Sequence, residues 1–427
     1  MPSAPHTRPR SFIDVPADSD FPLENLPYGV FTPRPSDPPR VGVAIGNHVL
    51  DLSALETAGL LPAISTDAHP VFARPHLNDF MALGPAAWSA VRTRLTELLR
   101  ADVPTLRDDT ALRAAAFHPA ADVQMCLPCT IGDYTDFYCS EAHARHVGRI
   151  LRGPDAELPP SFKHMPIGYH GRVSSIVPSG TPIRRPTGQF LPPGADAPIF
   201  GPTQQLDFEL EMGVLIGPGN TWQHPIPVTH AARHIFGLVL LNDWSARDIQ
   251  AWEYRPLGPF LGKNFATTLG VWVVPLAALA PFRCPAPPKD VPPLPYLHES
   301  GDTTYDIHCE ITLHPAGSPT AETISRPPFA DLYWSLSQMI AHHTIGGCNL
   351  RPGDLLATGT ISGTAPRTQG CLLELTRRGA APLALSTGHS RSFLHDADTI
   401  ALNAHCQAPD HRIGFGPCTA TILPASP

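Results

Sequence analysis

The sequence has no apolar stretch long enough to cross a bilayer: its longest run, Ile235–Leu241, falls far short of the ~20 residues a spanning helix needs. It shows no apolar leader. "MPSAPHTRPRSFIDV" opens on prolines and arginines, so we expect a cytoplasmic protein without a secretory signal. It has no basic block, and 30 Lys+Arg against 38 Asp+Glu leave a net charge of −8, which argues against nucleic acid and anionic membranes as partners. There is no HExxH and no completed Cys/His set, so zinc has no argument. The nine cysteines are odd in number and scattered, as expected of free thiols in a reducing compartment. The C-x-x-C pair Cys126/Cys129 lacks a second pair and reads as buried structural thiols. No internal repeat is evident, and without β-α-β alternation a doubly wound sheet is not expected.

What is present is length and proline. A chain of 427 residues, 42% hydrophobic, can bury a sizeable core in two or three domains. Its 52 prolines between short apolar runs favour a β-rich, loop-rich protein. The segment 11–118 opens with "VGVAIGNHVLDLSAL", a hairpin signal around Gly46-Asn47. It continues into an amphipathic helix with Trp88, Val91, Leu95 and Leu98 at helical spacing. A small β-barrel with a helical appendage fits this segment, and it carries no evident chemistry.

Unusual polar residues accumulate from about 124 onward. "LDFELEMGVLIG" (206–217) alternates as a strand, with Leu206, Phe208, Leu210 and Met212 on one face and Asp207, Glu209 and Glu211 on the other. Like charges ~7 Å apart repel by roughly 0.6 kcal/mol in water and about 2.4 kcal/mol at an effective dielectric of ~20. The acidic face is therefore either solvated or covered with a cation between the carboxylates. Ser140 caps a predicted helix from Glu141 to Leu151, placing His143 in the first turn beside Val147 and Ile150. The positive helix end disfavours imidazolium, which suits His143 to accept a proton; His146, His342 and His343 are assigned no role.

Asp136 is expected in a loop between Tyr134 and Tyr138, and Asp243 at the end of the apolar strand, just before Ser245, a second plausible cap. With Glu209 and Glu211 they would form an all-oxygen site for a hard cation, Mg²⁺ or Ca²⁺. Lys263 in "GPFLGKN" fails as a phosphate loop, since Gly258 and Gly262 are too close and Asn264 replaces Ser/Thr. Beside a metal it would face developing negative charge. Glu374 in "CLLELT" reads as mid-strand.

Together "IGDYTDFY", "PIGYHGR", "SGTPIRRP", "LDFELEMG", "LNDWSARDIQAWEY", "PLGPFLGK", "NLRPGDLLATGTISG" and "HCQ…RIGFGPC" resemble the fumarylacetoacetase family, from "DSDFPLENLPYGVF" to the last residues. The resemblance implies a mainly β fold: an SH3-like N-terminal domain over 11–118 and a catalytic mixed β-sandwich roll over 124–427, assembled as a homodimer. It implies hydrolysis of the carbon–carbon bond of 4-fumarylacetoacetate, a dicarboxylate diketone, in tyrosine and phenylalanine breakdown. It places a divalent cation, Mg²⁺ and/or Ca²⁺, on Asp136, Glu209, Glu211 and Asp243, with Lys263 and Thr267 near a second position. His143 matches the catalytic base and Glu374 its partner, while Arg247, Gln250 and Lys263 match the charge-stabilising group. Tyr138, Arg152, Tyr169, Gln250, Tyr254 and Thr360 match substrate contacts. Asp207 lies outside the matched set and is expected on a solvated face. The competing readings are a sibling acylpyruvate hydrolase, decarboxylase or isomerase, or an inactive binding protein.

Overall fold

A computed structural model describes residues 9–64 and 70–426. The N-terminal part is an antiparallel five-stranded sheet in the order Phe117–Pro119, His48–Asp51, Arg40–Ile45, Tyr28–Thr32, Gln124–Cys126. Its hairpin turns at Gly46-Asn47 as the sequence predicts, with Ile45 opposite His48 and Gly46 at a φ of 54°. The predicted helix is Pro85–Leu99, burying Val91, Leu95 and Leu98. The sheet takes its edge strand Gln124–Cys126 from beyond residue 118.

The C-terminal part contains two larger sheets. The first is eight-stranded, and its path runs Gly168–His170, Tyr134–Phe137, Leu355–Ala357, Leu210–Ile216, Ile235–Asp243, Thr267–Leu269, Ile176–Pro178. The second, six-stranded, is built around Thr399–Gln407, which pairs with His308–His314 and Cys418–Leu423. Those strands alternate between buried and partly exposed residues, as expected of a sheet with one face on the core.

The central strands of the first sheet behave differently. Leu210–Ile216 and Ile235–Asp243 are buried at every position. Leu215, Val239 and Leu241 pack into the core of the N-terminal part, while Met212, Val214, Leu238 and Leu240 belong to the core shared with the second sheet. A strand covered on both faces needs apolar side chains on both, which is why Ile235–Leu241 reads as an unbroken apolar run. Burial on both faces also removes solvent from any polar residue at the ends of these strands. The expected single strand over 206–217 is in fact broken: Leu206–Asp207 pairs with Ser245–Ala246, and the strand resumes at Leu210. Among the described residues no helix is long and apolar enough to cross a membrane.

Candidate active site and metal centre

Four carboxylates converge at one end of the first sheet. Asp136 lies in the strand Tyr134–Phe137, in register with Ala357, and so is on a strand where a loop was expected. Glu211 is the second residue of the strand Leu210–Ile216, and Glu209 lies just before that strand. Asp243 ends its strand opposite Thr267, and its N–H donates to the Glu209 carbonyl at 3.2 Å. Antiparallel pairing of Leu210–Ile216 with Ile235–Asp243 is what brings the start of one strand to the end of the other.

Ligand atoms of Asp136, Glu211 and Asp243 lie within 4.8 Å of one another, all buried. Burial, then the neighbouring carboxylates, pushes Asp136 and Glu211 well above the ordinary carboxyl range. Asp243 is pushed up to about 6 by burial, with Lys263 opposing the rise. Glu209 is the exception: burial works against its charge, but Lys263 and Arg247 hold it at about 2. Lys263 Nζ donates to both Glu209 and Asp243, and Arg247 Nη2 lies 2.8 Å from Glu209 Oε1.

Those two cations leave the cluster short of positive charge. Asp136 Oδ1 and Glu211 Oε1 are buried without a hydrogen-bond partner. The second oxygen of Glu211 accepts the Gly359 N–H at 3.1 Å, an approach that requires glycine: φ is 74°, and a Cβ there would stand 2.1 Å from the Phe137 carbonyl oxygen. Orphaned oxygens on clustered carboxylates are what a hard divalent cation satisfies, so these residues fit one.

Asp207 is not solvated. It is fully buried and saturated: Oδ1 accepts the N–H of Leu372 at 2.7 Å, and Oδ2 accepts the N–H of Leu373 and Nε–H of Arg247, both at 2.9 Å. All three acidic residues of the alternating stretch are therefore covered, with Arg247 and Lys263 among them. Asp207 also fixes the short helix Leu372–Leu375, which carries Glu374; that residue is helical where a strand was expected.

The helix Glu141–Arg152 starts where predicted, with Ser140 Oγ accepting the His143 N–H at 3.2 Å. His143 Nδ1 lies 2.6 Å from Glu374 Oε2, both side chains being buried. Burial raises the Glu374 carboxyl, but His143 and hydrogen bonds from His143, His146 and Ser362 outweigh it and hold the group below the ordinary range. The Tyr138 ring stands edge-on to His143 at 5.3 Å.

A cavity of about 460 Å³ joins the two clusters; Asp136, Glu209, Glu211, Arg247 and Lys263 line it together with His143, Tyr138, Tyr169, Gln250, Tyr254 and Thr360. Tyr169 Oη donates to Asp243 Oδ2 at 3.2 Å. Gln250 Oε1 accepts from Arg247 Nη1 at 3.3 Å. Asp243 and Thr267 line a smaller adjoining cavity of about 210 Å³, shared with Lys263 and Tyr169. Arg152 stands apart, donating to the Glu157 carbonyl at 2.8 Å and lining neither cavity.

Sequence reasoning missed several participants. His146, given no role, has Nδ1 2.8 Å from Glu374 Oε1; its i,i+3 spacing from His143 was the available signal. Ser362 and Cys371, 12 and 3 positions before Glu374, donate to the same carboxylate. Arg378 lines the cavity with no carboxylate partner among the described residues, whereas Arg247 and Lys263 are each paired. Ser245 caps nothing: Ala246 stands at the cap of helix Arg247–Glu253, and Ser245 Oγ donates to the Asp243 carbonyl at 3.3 Å. His342 and His343 lie outside the cavity, bonded to Tyr296 and Thr135. All nine cysteines are free; Cys129 is buried, its thiol pushed up to about 12, while Cys126 is only half-buried.

The chain is similar to known proteins over nearly its whole length. Residues 133–423 match the fumarylacetoacetate (FAA) hydrolase C-terminal family, and residues 24–128 the fumarylacetoacetase N-terminal family. The chain is 52% identical over 418 residues to the fumarylacetoacetase of Arabidopsis thaliana, covering 98% of this chain and 99% of that one. It is 51% identical over 415 residues to that of Homo sapiens, covering 97% and 99%. In fold it is similar to a fumarylacetoacetate hydrolase from Exiguobacterium antarcticum, with a TM-score of 0.52 at 17% identity over 94% of this chain and 100% of that one.

Proposed function

The chain belongs to the fumarylacetoacetase family and is a hydrolase; we propose that it cleaves the carbon–carbon bond of 4-fumarylacetoacetate to fumarate and acetoacetate, in tyrosine catabolism, within the cavity lined by His143. Identity of about 50% over nearly the whole chain does not favour a sibling decarboxylase, isomerase or acylpyruvate hydrolase, or an inactive binder.

The observation that carries the mechanism is the buried His143–Glu374 pair opening onto the same cavity as the acidic cluster. With Nδ1 donating to Glu374, Nε2 is the ring nitrogen left to accept a proton. Nε2 takes that proton from water as its oxygen attacks the carbonyl beside the fumaryl group. Glu374 stabilises the imidazolium that forms. The carbon–carbon bond then breaks; its electron pair leaves on the acetoacetate enolate, and the proton returns to that carbon. Arg247, Gln250 and Lys263 offset the negative charge that develops. A divalent cation held by Asp136, Glu209, Glu211 and Asp243, Mg²⁺ or Ca²⁺, supplies Lewis acidity and a template for substrate oxygens when bound. Lys263 and Thr267 stand near a second such position.

Tyr138, Tyr169, Tyr254 and Thr360 are assigned to the substrate walls. Its two carboxylates require cations, for which Arg378 at the cavity rim is available, and Arg152 becomes available if it leaves the Glu157 carbonyl. We assign the chain to a reducing, cytoplasmic compartment on its nine free thiols. A homodimer is supported by the exposed apolar side chains of Phe200, Trp252, Leu257, Phe260 and Leu261.

The decisive assay follows loss of ultraviolet absorbance of fumarylacetoacetate with purified protein. Turnover that stops on chelation and returns with Mg²⁺ or Ca²⁺ is expected. No turnover by the metal-loaded protein would overturn the assignment.

A further inference from the structure

The two oxygens of Glu374 are not equivalently held. Oε2 collects three partners: His143 Nδ1 at 2.6 Å, Ser362 Oγ at 2.8 Å and Cys371 Sγ at 3.2 Å. Oε1 has one partner among the described residues, His146 Nδ1 at 2.8 Å. The Glu374 side chain is 0% exposed, so solvent does not reach that oxygen, whereas His146 is 26% exposed. An ionised carboxylate only accepts, so His146 must donate its Nδ1–H.

We propose that His146 is a positioning residue for the hydrolysis, acting through Glu374. Its hydrogen bond fixes the plane of the carboxylate and keeps the otherwise orphaned oxygen charged. Glu374 can then hold the His143 ring with Nε2 toward the cavity and stabilise its protonated form. Two histidines three residues apart on one helix face thus clamp the two oxygens of a single buried carboxylate. Without His146, Oε1 is a buried, unpaired anionic oxygen, and the base loses part of its support. His146 lies outside the cavity lining, so its effect should fall on kcat and spare KM.

The inference rests on the reading of His143 as general base, and one series of variants separates the two. Steady-state kcat and KM would be measured on metal-loaded wild type, His146→Leu, His146→Asn and His143→Ala, with melting temperatures to establish folding. The amide N–H of Asn stands near the place of the Nδ1–H it replaces. His146→Leu should lower kcat about tenfold, one charged hydrogen bond of ordinary strength, with KM unchanged. His146→Asn should recover most of that loss. Unchanged kcat in folded His146→Leu, or His146→Asn as slow as His146→Leu, overturns the inference. Normal kcat in His143→Ala instead overturns the reading beneath it. If His146→Leu does not fold, proton NMR decides: two downfield Nδ1 protons are expected in wild type and one in His146→Asn, and a single one in wild type overturns the inference.

Discussion

Asp207 and Arg247 form a buried pair, Oδ2 accepting the Nε–H at 2.9 Å, and through it the charge-bearing wall of the cavity is tied to the helix that carries Glu374. Asp207→Asn keeps the size of the side chain but removes one anionic acceptor and leaves Arg247 undercompensated. Breaking a buried pair from one side costs about 3–5 kcal/mol. The melting temperature should fall, and kcat should fall in the variant that remains folded. Thermal unfolding and kinetics on the same preparation check both; wild-type stability would show that the pair is solvated after all.

Cation binding should be pH-dependent, with a sign set by the acidic cluster. Asp136 and Glu211 are raised well above the ordinary range and Asp243 is raised to about 6, so in the metal-free protein these groups hold protons that a cation must displace. Affinity for Mg²⁺ or Ca²⁺ should therefore rise from pH 5 toward pH 8, with proton release on binding. Calorimetry in buffers of different ionisation enthalpy measures both. A Kd flat with pH would mean the carboxylates are already ionised. Glu211→Gln and Asp243→Asn should lose bound metal, by elemental analysis, along with turnover.

His143→Ala should lower kcat by roughly 10²–10⁴ while metal binding persists. Glu374→Gln should also be slow, since it removes the acceptor that orients the ring. Because the two act as one unit, the double variant should be little worse than the worse single one. Losses that multiplied would show that the residues act independently.

Arg378 should affect substrate affinity and spare the chemistry. It lines the cavity on a left-handed backbone (φ 57°) at an exposed position. Arg378→Gln should raise KM about tenfold with kcat little changed, and Arg378→Lys should restore part of the loss. Equal KM values for Gln and wild type would place the substrate carboxylates elsewhere.

Much of this molecule was decided by local patterns. Ser140 before an acidic first turn specifies a helix start, and with it the placement of His143, because a cap hydrogen bond needs only three residues. Gly46-Asn47 specifies its hairpin for a similar reason: the turn's backbone conformation is a property of those residues. The apolar run at Ile235–Leu241 announced a strand, and the structure buries it at every position. The order of long motifs along the chain named the family. Period-two alternation, by contrast, reads the same whether the polar face is wet or covered, so Asp207 could be assigned only once the layers around it were known. A four-residue helix such as Leu372–Leu375 is too short for propensity to choose it over a strand; Asp207, 165 positions before Leu372, holds its first N–H groups in place. The clamp on Glu374 brings His143 and His146 to a carboxylate 231 and 228 positions away, a convergence only the packed sheets create. Donor types can be read from a sequence. Which donors share one buried oxygen is decided by the tertiary fold, because burial is what removes water as the alternative partner.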